Sequence, residues 1–269
     1  MDIVTIEGFR PARRRADLAL RAGEAFIAGG TWLMSEPQPE TTGFVDLTTM
    51  GWPSIEITPD GLRIAATCTI ADLVAWSSMP PEEWTAAAVI PDAANALLAS
   101  FKIWNTATVG GNICQSFAAA SMVSLSAALD GVAVIWTVDG GERTLPVAEL
   151  ITGNATNSLA RGEVLRAIDL PARALRSRIL LRKIALAEHG RSGAVVTGRI
   201  DEDGSSVFTV TAATQRPAVL RFATVPDAAA LAAAIGDAPG YYTDPLGAAD
   251  WRRGVSIVLG ERIRTELAA

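Results

Sequence analysis

The chain has 269 residues, of which 49% are hydrophobic, and a formal net charge of −6 at pH 7. This length supports a large buried core in one to three units, and the acidic balance disfavours a nucleic-acid binder. With only two cysteines and one histidine, the composition excludes an internal zinc site and a cysteine-ligated iron–sulfur cluster, so no metal site is predicted. The chain shows no signal peptide and no apolar run long enough to span a bilayer, which predicts a cytoplasmic protein with no membrane contact.

The first 55 residues predict a small α/β unit. Residues 16–23 have the amphipathic pattern of a helix. Residues 24–28 predict a buried strand that leads into a glycine loop, Ala28-Gly29-Gly30-Thr31-Trp32. Residues 44–47 predict a second strand.

Residues 56–172 predict a second, larger α/β unit. Pro59-Asp60-Gly61 lies between two strand-like runs and predicts a hairpin, and Thr69 is expected to cap a helix that ends at Trp76. The other elements predicted here are helices over 92–100, 121–129 and 147–151, a turn at Gly140-Gly141, and strands over 132–138 and 163–170.

The last part of the chain has a different order of predicted elements, because its strands come first and its helices follow. The strands cover 179–186, 192–200 and 206–213, and the helices cover 227–235 and 251–267. This order indicates an α+β domain.

A second glycine loop, Thr108-Val109-Gly110-Gly111-Asn112, lies about eighty residues after the first. Glycine pairs can adopt positive φ and expose consecutive N–H groups to an anion. Two such loops would grip the two phosphates of a dinucleotide from opposite sides. Neither loop has the GxGxxG or P-loop pattern, and either one alone fits a structural turn.

No catalytic residue is predicted. His189 has no nucleophile elbow to serve and is interpreted as a surface or structural histidine. Trp32 and Trp104 each lie within or beside a glycine loop, where an aromatic ring would either stack on a ring ligand or obstruct the site.

Several motifs, in this order, resemble the FAD-binding medium subunit of molybdenum hydroxylases, the family of xanthine dehydrogenase and carbon monoxide dehydrogenase. The resemblance extends along nearly the whole chain, and IWNTATVGGNI is its most specific motif. The motifs are AGGTWL (28–33), VDLTTM (45–50), DGLRIAATCTIADL (60–73), IWNTATVGGNI (103–113), GEVLRAIDLP (162–171), RKIA (182–185) and DWRRGVSIVLGERI (250–263).

The resemblance implies a PCMH-type FAD-binding fold, α/β plus α+β. Two α/β subdomains, 1–55 and 56–172, would hold FAD, and a C-terminal α+β domain, 173–269, would close over the flavin. The implied activity is that of an oxidoreductase: electrons would pass from iron–sulfur clusters of a partner through FAD to NAD or another acceptor. The implied partners are a molybdopterin-binding large subunit and a [2Fe–2S] small subunit.

The resemblance also implies a set of cofactor-binding residues. Most would line the pyrophosphate and adenosine part, whereas Leu98 and Leu165 would lie against adenine or flavin and Lys183 near the flavin. The set is Phe26, Ile27, Ala28, Gly29, Gly30, Thr31, Trp32, Leu33, Leu98, Thr108, Val109, Gly110, Gly111, Asn112, Ser121, Leu165 and Lys183. Gly110→Val is expected to abolish flavin retention while the fold survives.

The chain departs from the family pattern at several of these places. Trp32 replaces a small polar or acidic residue, and Ala118 and Ser121 replace a proline and an aspartate. Trp104, Ala187 and Arg191 are further departures. Two alternatives therefore stay open: a degenerate family member that has lost FAD and acts as a scaffold, and a stand-alone flavin oxidase.

Overall fold

The computed structural model describes residues 5–187 and 190–269, so the interpretation of His189 lies outside the described residues. The strands are β1 (Gly8–Pro11), β2 (Glu24–Ile27), β3 (Gly43–Asp46), β4 (Ile55–Thr58), β5 (Gly61–Ala65), β6 (Val132–Trp136), β7 (Glu142–Pro146), β8 (Ile151–Gly153), β9 (Thr156–Asn157), β10 (Val164–Pro171), β11 (Arg178–Ile184), β12 (Ala194–Ile200), β13 (Ser206–Thr211) and β14 (Ala218–Phe222). The helices are α1 (Ile70–Trp76), α2 (Ile90–Asn95), α3 (Phe101–Trp104), α4 (Val109–Gln115), α5 (Ser121–Ala128), α6 (Val147–Leu150), α7 (Ala172–Leu175), α8 (Ala228–Gly236) and α9 (Ala249–Ala268).

The first sheet is a small parallel one in the order β1-β3-β2. Its outer strands are joined by an ion pair in which Arg10 Nη2 lies 2.8 Å from Glu24 Oε2. The hydrogen bonds from Arg10 lower the pKa of Glu24 to about 2. The carboxyl end of β2 leads directly into the first glycine loop.

The second sheet is antiparallel, in the order β4-β5-β10-β6-β7. The hairpin of β4 and β5 confirms the turn predicted at Pro59-Asp60-Gly61. Thr69 caps α1 by accepting a hydrogen bond from the Asp72 N–H at 3.0 Å, as predicted.

The third sheet is an antiparallel meander, β11-β12-β13-β14, that packs against α8 and α9. Asp227 caps α8 by accepting from the Ala230 N–H at 2.8 Å. This arrangement confirms the predicted α+β character of the last part of the chain. A two-stranded ribbon, β8-β9, completes the sheets in the described part of the chain.

Helix α5 lies at the centre of the molecule, and all eight of its residues are buried. It contacts other helices on one side and strands β12 and β13 on the other. The Ser124 hydroxyl lies 2.6 Å from that of Thr211 on β13, and Ser126 donates to the Met122 carbonyl four residues earlier. One continuous core therefore joins the second and third sheets.

The helix predicted over 16–23 is wrong beyond its first turn, because only a 3-10 turn forms at Arg15–Leu18. The Arg10 guanidinium donates to the carbonyls of Asp17 and Ala19, which a continuing helix would need for its own N–H groups. The helix predicted over 92–100 ends at Asn95. Strands β1, β7 and β14 were not predicted.

Within the described residues, no helix combines the length and the apolar character needed to cross a membrane. No cluster of three or more metal-ligating side chains occurs there either.

Candidate cofactor cleft

The first glycine loop follows β2 and presents a row of unengaged backbone donors. None of the N–H groups of residues 29–33 donates to a protein acceptor in the described part of the chain. Gly30 has φ +66°, a left-handed conformation that glycine adopts without strain. A Cβ at Gly29 would lie 2.0 Å from the Thr106 carbonyl oxygen, so this glycine permits close packing against the second motif. The loop has the form of an anion-binding nest.

The second glycine pair lies in a helix and does not form the open loop that the sequence predicts. Gly110 and Gly111 lie in the first turn of α4, with neither in the positive-φ region. The Gly110 N–H donates to the Ala66 carbonyl at 2.9 Å, and the Gly111 N–H donates to Thr108 Oγ1 at 3.0 Å. The prediction of a second nest of exposed amides is therefore wrong.

The close contacts that a side chain would make differ between Gly110 and Gly111. A Cβ at Gly110 would lie 2.4 Å from the Ala66 Cβ and 2.7 Å from its Cα and carbonyl oxygen. Gly110 therefore lets α4 press against the chain leaving β5. A Cβ at Gly111 would meet only Thr108 Oγ1, at 2.8 Å. The expectation that Gly110→Val spares the fold conflicts with the first contact.

The two motifs face each other across a mostly apolar cleft of about 480 Å³, within the about 300–1,000 Å³ typical of ligand sites. Of the predicted set, those that line it are Phe26, Ile27, Ala28, Gly29, Gly30, Thr31, Trp32, Leu33, Leu98, Thr108, Gly110, Gly111, Asn112 and Leu165. The Asn112 Oδ1 accepts from the Met122 N–H at 2.9 Å, which leaves its Nδ2 donors for the cleft.

Three predicted residues lie outside the lining of this cleft. Val109 is buried and donates its N–H to the Cys68 carbonyl. Ser121 begins α5, and its buried Oγ has no partner among the described residues. Lys183 is exposed on β11, where its Nζ donates to the Asn95 carbonyl at 2.6 Å.

An aromatic–cation stack at the cleft brings together three distant parts of the chain. The Trp32 and Phe117 rings meet edge to face with centroids 4.7 Å apart. The Arg191 guanidinium lies 5.9 Å from the Phe117 centroid. We name this trio the cleft stack. Trp32 thus packs against a neighbour within the cleft wall.

The charged side chains of the cleft are Glu163 and Arg191. Glu163 is neutralised by Arg143, whose Nε and Nη2 donate to its carboxylate at 2.8 and 2.7 Å and hold its pKa below the usual range. Arg191 has no carboxylate partner in the described residues. Among the described residues, the side chains that line the cleft therefore include one positive charge without a carboxylate partner.

Cys114 also lines the cleft, where burial raises the pKa of its thiol to about 12. The thiol is protonated at neutral pH and is a poor nucleophile. The described cleft thus offers donors, apolar surface and a cation, without a nucleophile–base pair.

Sequence reasoning did not single out several lining residues, because none of them lies within the glycine loops themselves. They include Ala66, Ala96, Ile103, Phe117 and Glu163. Arg191 was noticed only as a departure from the family pattern. The motif GEVLRAIDLP contains Glu163, and this was the one local signal for it.

Comparison with known proteins assigns the family. Residues 15–173 match the family described as FAD binding domain in molybdopterin dehydrogenase. The chain belongs to this family. FAD is therefore its cofactor class, and a cleft with a row of unengaged amides, a lone cation and apolar walls fits a dinucleotide that carries a flavin.

Solved structures share the fold of this family member. Quinoline 2-oxidoreductase from Pseudomonas putida 86 has a chain that matches with TM-score 0.83 and 19% identity, over 100% of this chain and 98% of that one. Reconstituted CO dehydrogenase from Oligotropha carboxidovorans matches with TM-score 0.84 and 20% identity, over 98% and 99%. CO dehydrogenase from Hydrogenophaga pseudoflava matches with TM-score 0.81 and 20% identity, over 98% of both chains. Comparison with curated protein sequences gave no match.

Proposed function

We propose that this chain is the FAD-carrying electron-transfer subunit of a molybdenum hydroxylase-type dehydrogenase. It would take electrons from the iron–sulfur clusters of a partner and deliver them to NAD or another acceptor. The observation that carries this proposal is the row of unengaged amides at 29–33 in the lining of a cleft to which, among the described residues, Arg191 adds a positive charge. Bound flavin supplies the redox chemistry, and the protein supplies binding, orientation and electrostatics.

The chain's own residues divide this work between them. The amides of 29–33 donate hydrogen bonds to the pyrophosphate, and Arg191 adds the cation that a dianionic group needs. The hydroxyls of Thr31 and Thr108 and the Asn112 amide are further donors at the cleft. Apolar wall residues exclude water from the bound rings.

The partners follow from the same role. We propose a molybdopterin-binding large subunit and a [2Fe–2S] small subunit, because the described part of this chain has no group of side chains that could ligate an iron–sulfur cluster. Leu98, Phe101 and Ile103 are exposed beside the cleft, with 58%, 70% and 39% of their surfaces accessible. Contiguous exposed apolar side chains of this kind suit a subunit contact. We also propose the division of the chain into units 1–55, 56–172 and 173–269.

Flavin content of the purified chain is the first test. We expect visible flavin absorption and release of FAD on heat denaturation. A colourless chain that also fails to take up added FAD, alone and with its partner subunits, would favour the degenerate scaffold. Turnover of a substrate by the isolated chain with O₂ as acceptor would instead favour a stand-alone flavin oxidase.

A matched pair of variants tests the nest itself. Gly30→Ala places a side chain at φ +66°, and Gly51→Ala does so at φ +67° in a turn outside the cleft. Both carry a similar backbone cost of about 1–2 kcal/mol; the Gly30 Cβ would also meet the end of the Ile27 side chain at 2.9 Å, whereas the Gly51 Cβ meets no atom within 4 Å. We expect only Gly30→Ala to weaken FAD binding in a titration of the apoprotein. Equal FAD affinity in the two variants would remove the first loop from the site.

A further inference from the structure

Arg252, on α9, is a fully buried cation whose hydrogen bonds go mainly to backbone carbonyls. Its Nη1 donates to the Gly193 carbonyl at 2.6 Å and to the Ala212 carbonyl at 2.8 Å. Its Nε donates to the Gly247 carbonyl at 3.1 Å, and its Nη2 pairs with Asp244. Burying a guanidinium is costly unless its donors are satisfied, so Arg252 depends on these hydrogen bonds to remain buried.

The Ala212 carbonyl, which Arg252 holds, belongs to a strained residue. Ala212 has φ +61°, a left-handed conformation that is costly for alanine. Its carbonyl also accepts from Tyr242 Oη at 3.0 Å, and its N–H donates to the Ala118 carbonyl at 2.8 Å. Ala118 stands between Phe117 and Ala119, which line the cleft. The strained peptide thus ties α9 to one wall of the cleft.

The Gly193 carbonyl leads to another segment of the cleft lining. Gly193 follows Ser192, a buried residue whose Oγ donates to the Ala96 carbonyl at 3.0 Å. Ala96 lines the cleft, as does Arg191 on the other side of Ser192. One nitrogen of Arg252 therefore fixes two segments, each of which is hydrogen-bonded to a different part of the chain at the cleft.

We propose that Arg252 is a positioning residue that couples the third sheet to two segments of the FAD cleft through Ala212 and Ser192, and so sets how tightly the cofactor is retained. The inference rests on the proposed function only in taking FAD as the ligand. The coupling itself is independent of that function, because it is carried by hydrogen bonds within the protein. A lysine could not replace the arginine here, because a single ammonium lacks the planar fork that spans the two carbonyls and Asp244.

Three variants test the proposal. Ser192→Ala removes one wall contact, and Arg252→Lys removes the fork that serves both. Leu259→Ala is the control, because it opens a cavity on the same helix without touching either path. With the holoprotein, we expect FAD to dissociate about tenfold faster from Arg252→Lys, as the loss of one to two hydrogen bonds implies. We expect a several-fold increase for Ser192→Ala and no change for Leu259→Ala.

Amide hydrogen exchange of the flavin-free chain gives a second readout. Arg252→Lys should speed exchange in the peptides that cover 95–99 and 116–120, whereas Leu259→Ala should affect only the third sheet, α8 and α9. An increase spread evenly over the third sheet and its helices, with the cleft peptides unchanged, would overturn the coupling. If wild-type chain binds no FAD, the proposed function fails while exchange still decides the coupling.

Discussion

Gly110→Ala should destabilise the fold rather than only weaken cofactor binding. The added Cβ would lie 2.4 Å from the Ala66 Cβ and 2.7 Å from two Ala66 backbone atoms. Backbone atoms of a paired segment cannot move aside, and the Gly110 N–H bond to the Ala66 carbonyl would have to lengthen. Overpacking of this kind costs about 1–3 kcal/mol, and we expect the upper end of that range.

The assay is urea unfolding of the flavin-free chain, followed by far-UV circular dichroism. Gly111→Ala is the matched variant one residue away, because its Cβ would meet only the Thr108 hydroxyl. Disturbing that cap costs about 0.5–2 kcal/mol, typically about 1, and the higher helix propensity of alanine offsets this by up to about 1 kcal/mol. Equal urea midpoints for Gly110→Ala and wild type would refute the packing role assigned to Gly110.

Two further predictions concern charge. Arg191→Gln should raise the Kd for FAD about tenfold and flatten its salt dependence, whereas Arg216→Gln, an exposed control outside the cleft, should leave both unchanged; equal effects would contradict a local role. Asp130→Asn should lower the free energy of unfolding by about 3–5 kcal/mol, because the Asp130 carboxylate is 7% exposed and pairs with the buried Arg199. Burial would raise the pKa of Asp130, but hydrogen bonds from Arg221 and Arg199 outweigh it and hold the pKa well below the usual range. Its stabilisation is therefore present above about pH 4 and is lost as the pH falls further, so the variant should show a smaller loss of stability on acidification in urea titrations at pH 7 and pH 3.

Local signals predicted those parts of the fold that local chemistry decides. The cap at Thr69 and the turn before Gly61 each depend on residues within a few positions, and both form as expected. The failures have distant causes. Residues 16–23 lose their helix to the Arg10 side chain, which takes two of the carbonyls.

The same distinction applies to the candidate site. The segment 26–33 was predicted to line a cofactor site and does line the cleft, because its position follows from one strand and the loop after it. The role of Gly110 could not be read from the sequence, since its partner, Ala66, belongs to a different motif. The cleft stack likewise joins Trp32, Phe117 and Arg191, which no local pattern relates.

The burial of α5 bears on where this protein could be divided. The part that matches the family ends at residue 173, yet α5 within it is covered by strands that begin at Ala194 and Ser206. A chain stopped after the matched part would leave an apolar helix open to water on one side. During synthesis this face of α5 stays uncovered until the strands that pack on it have been made. Ser124 and its partner Thr211 are 87 residues apart in the sequence. The segment that matches the family is therefore shorter than the length of chain that buries α5.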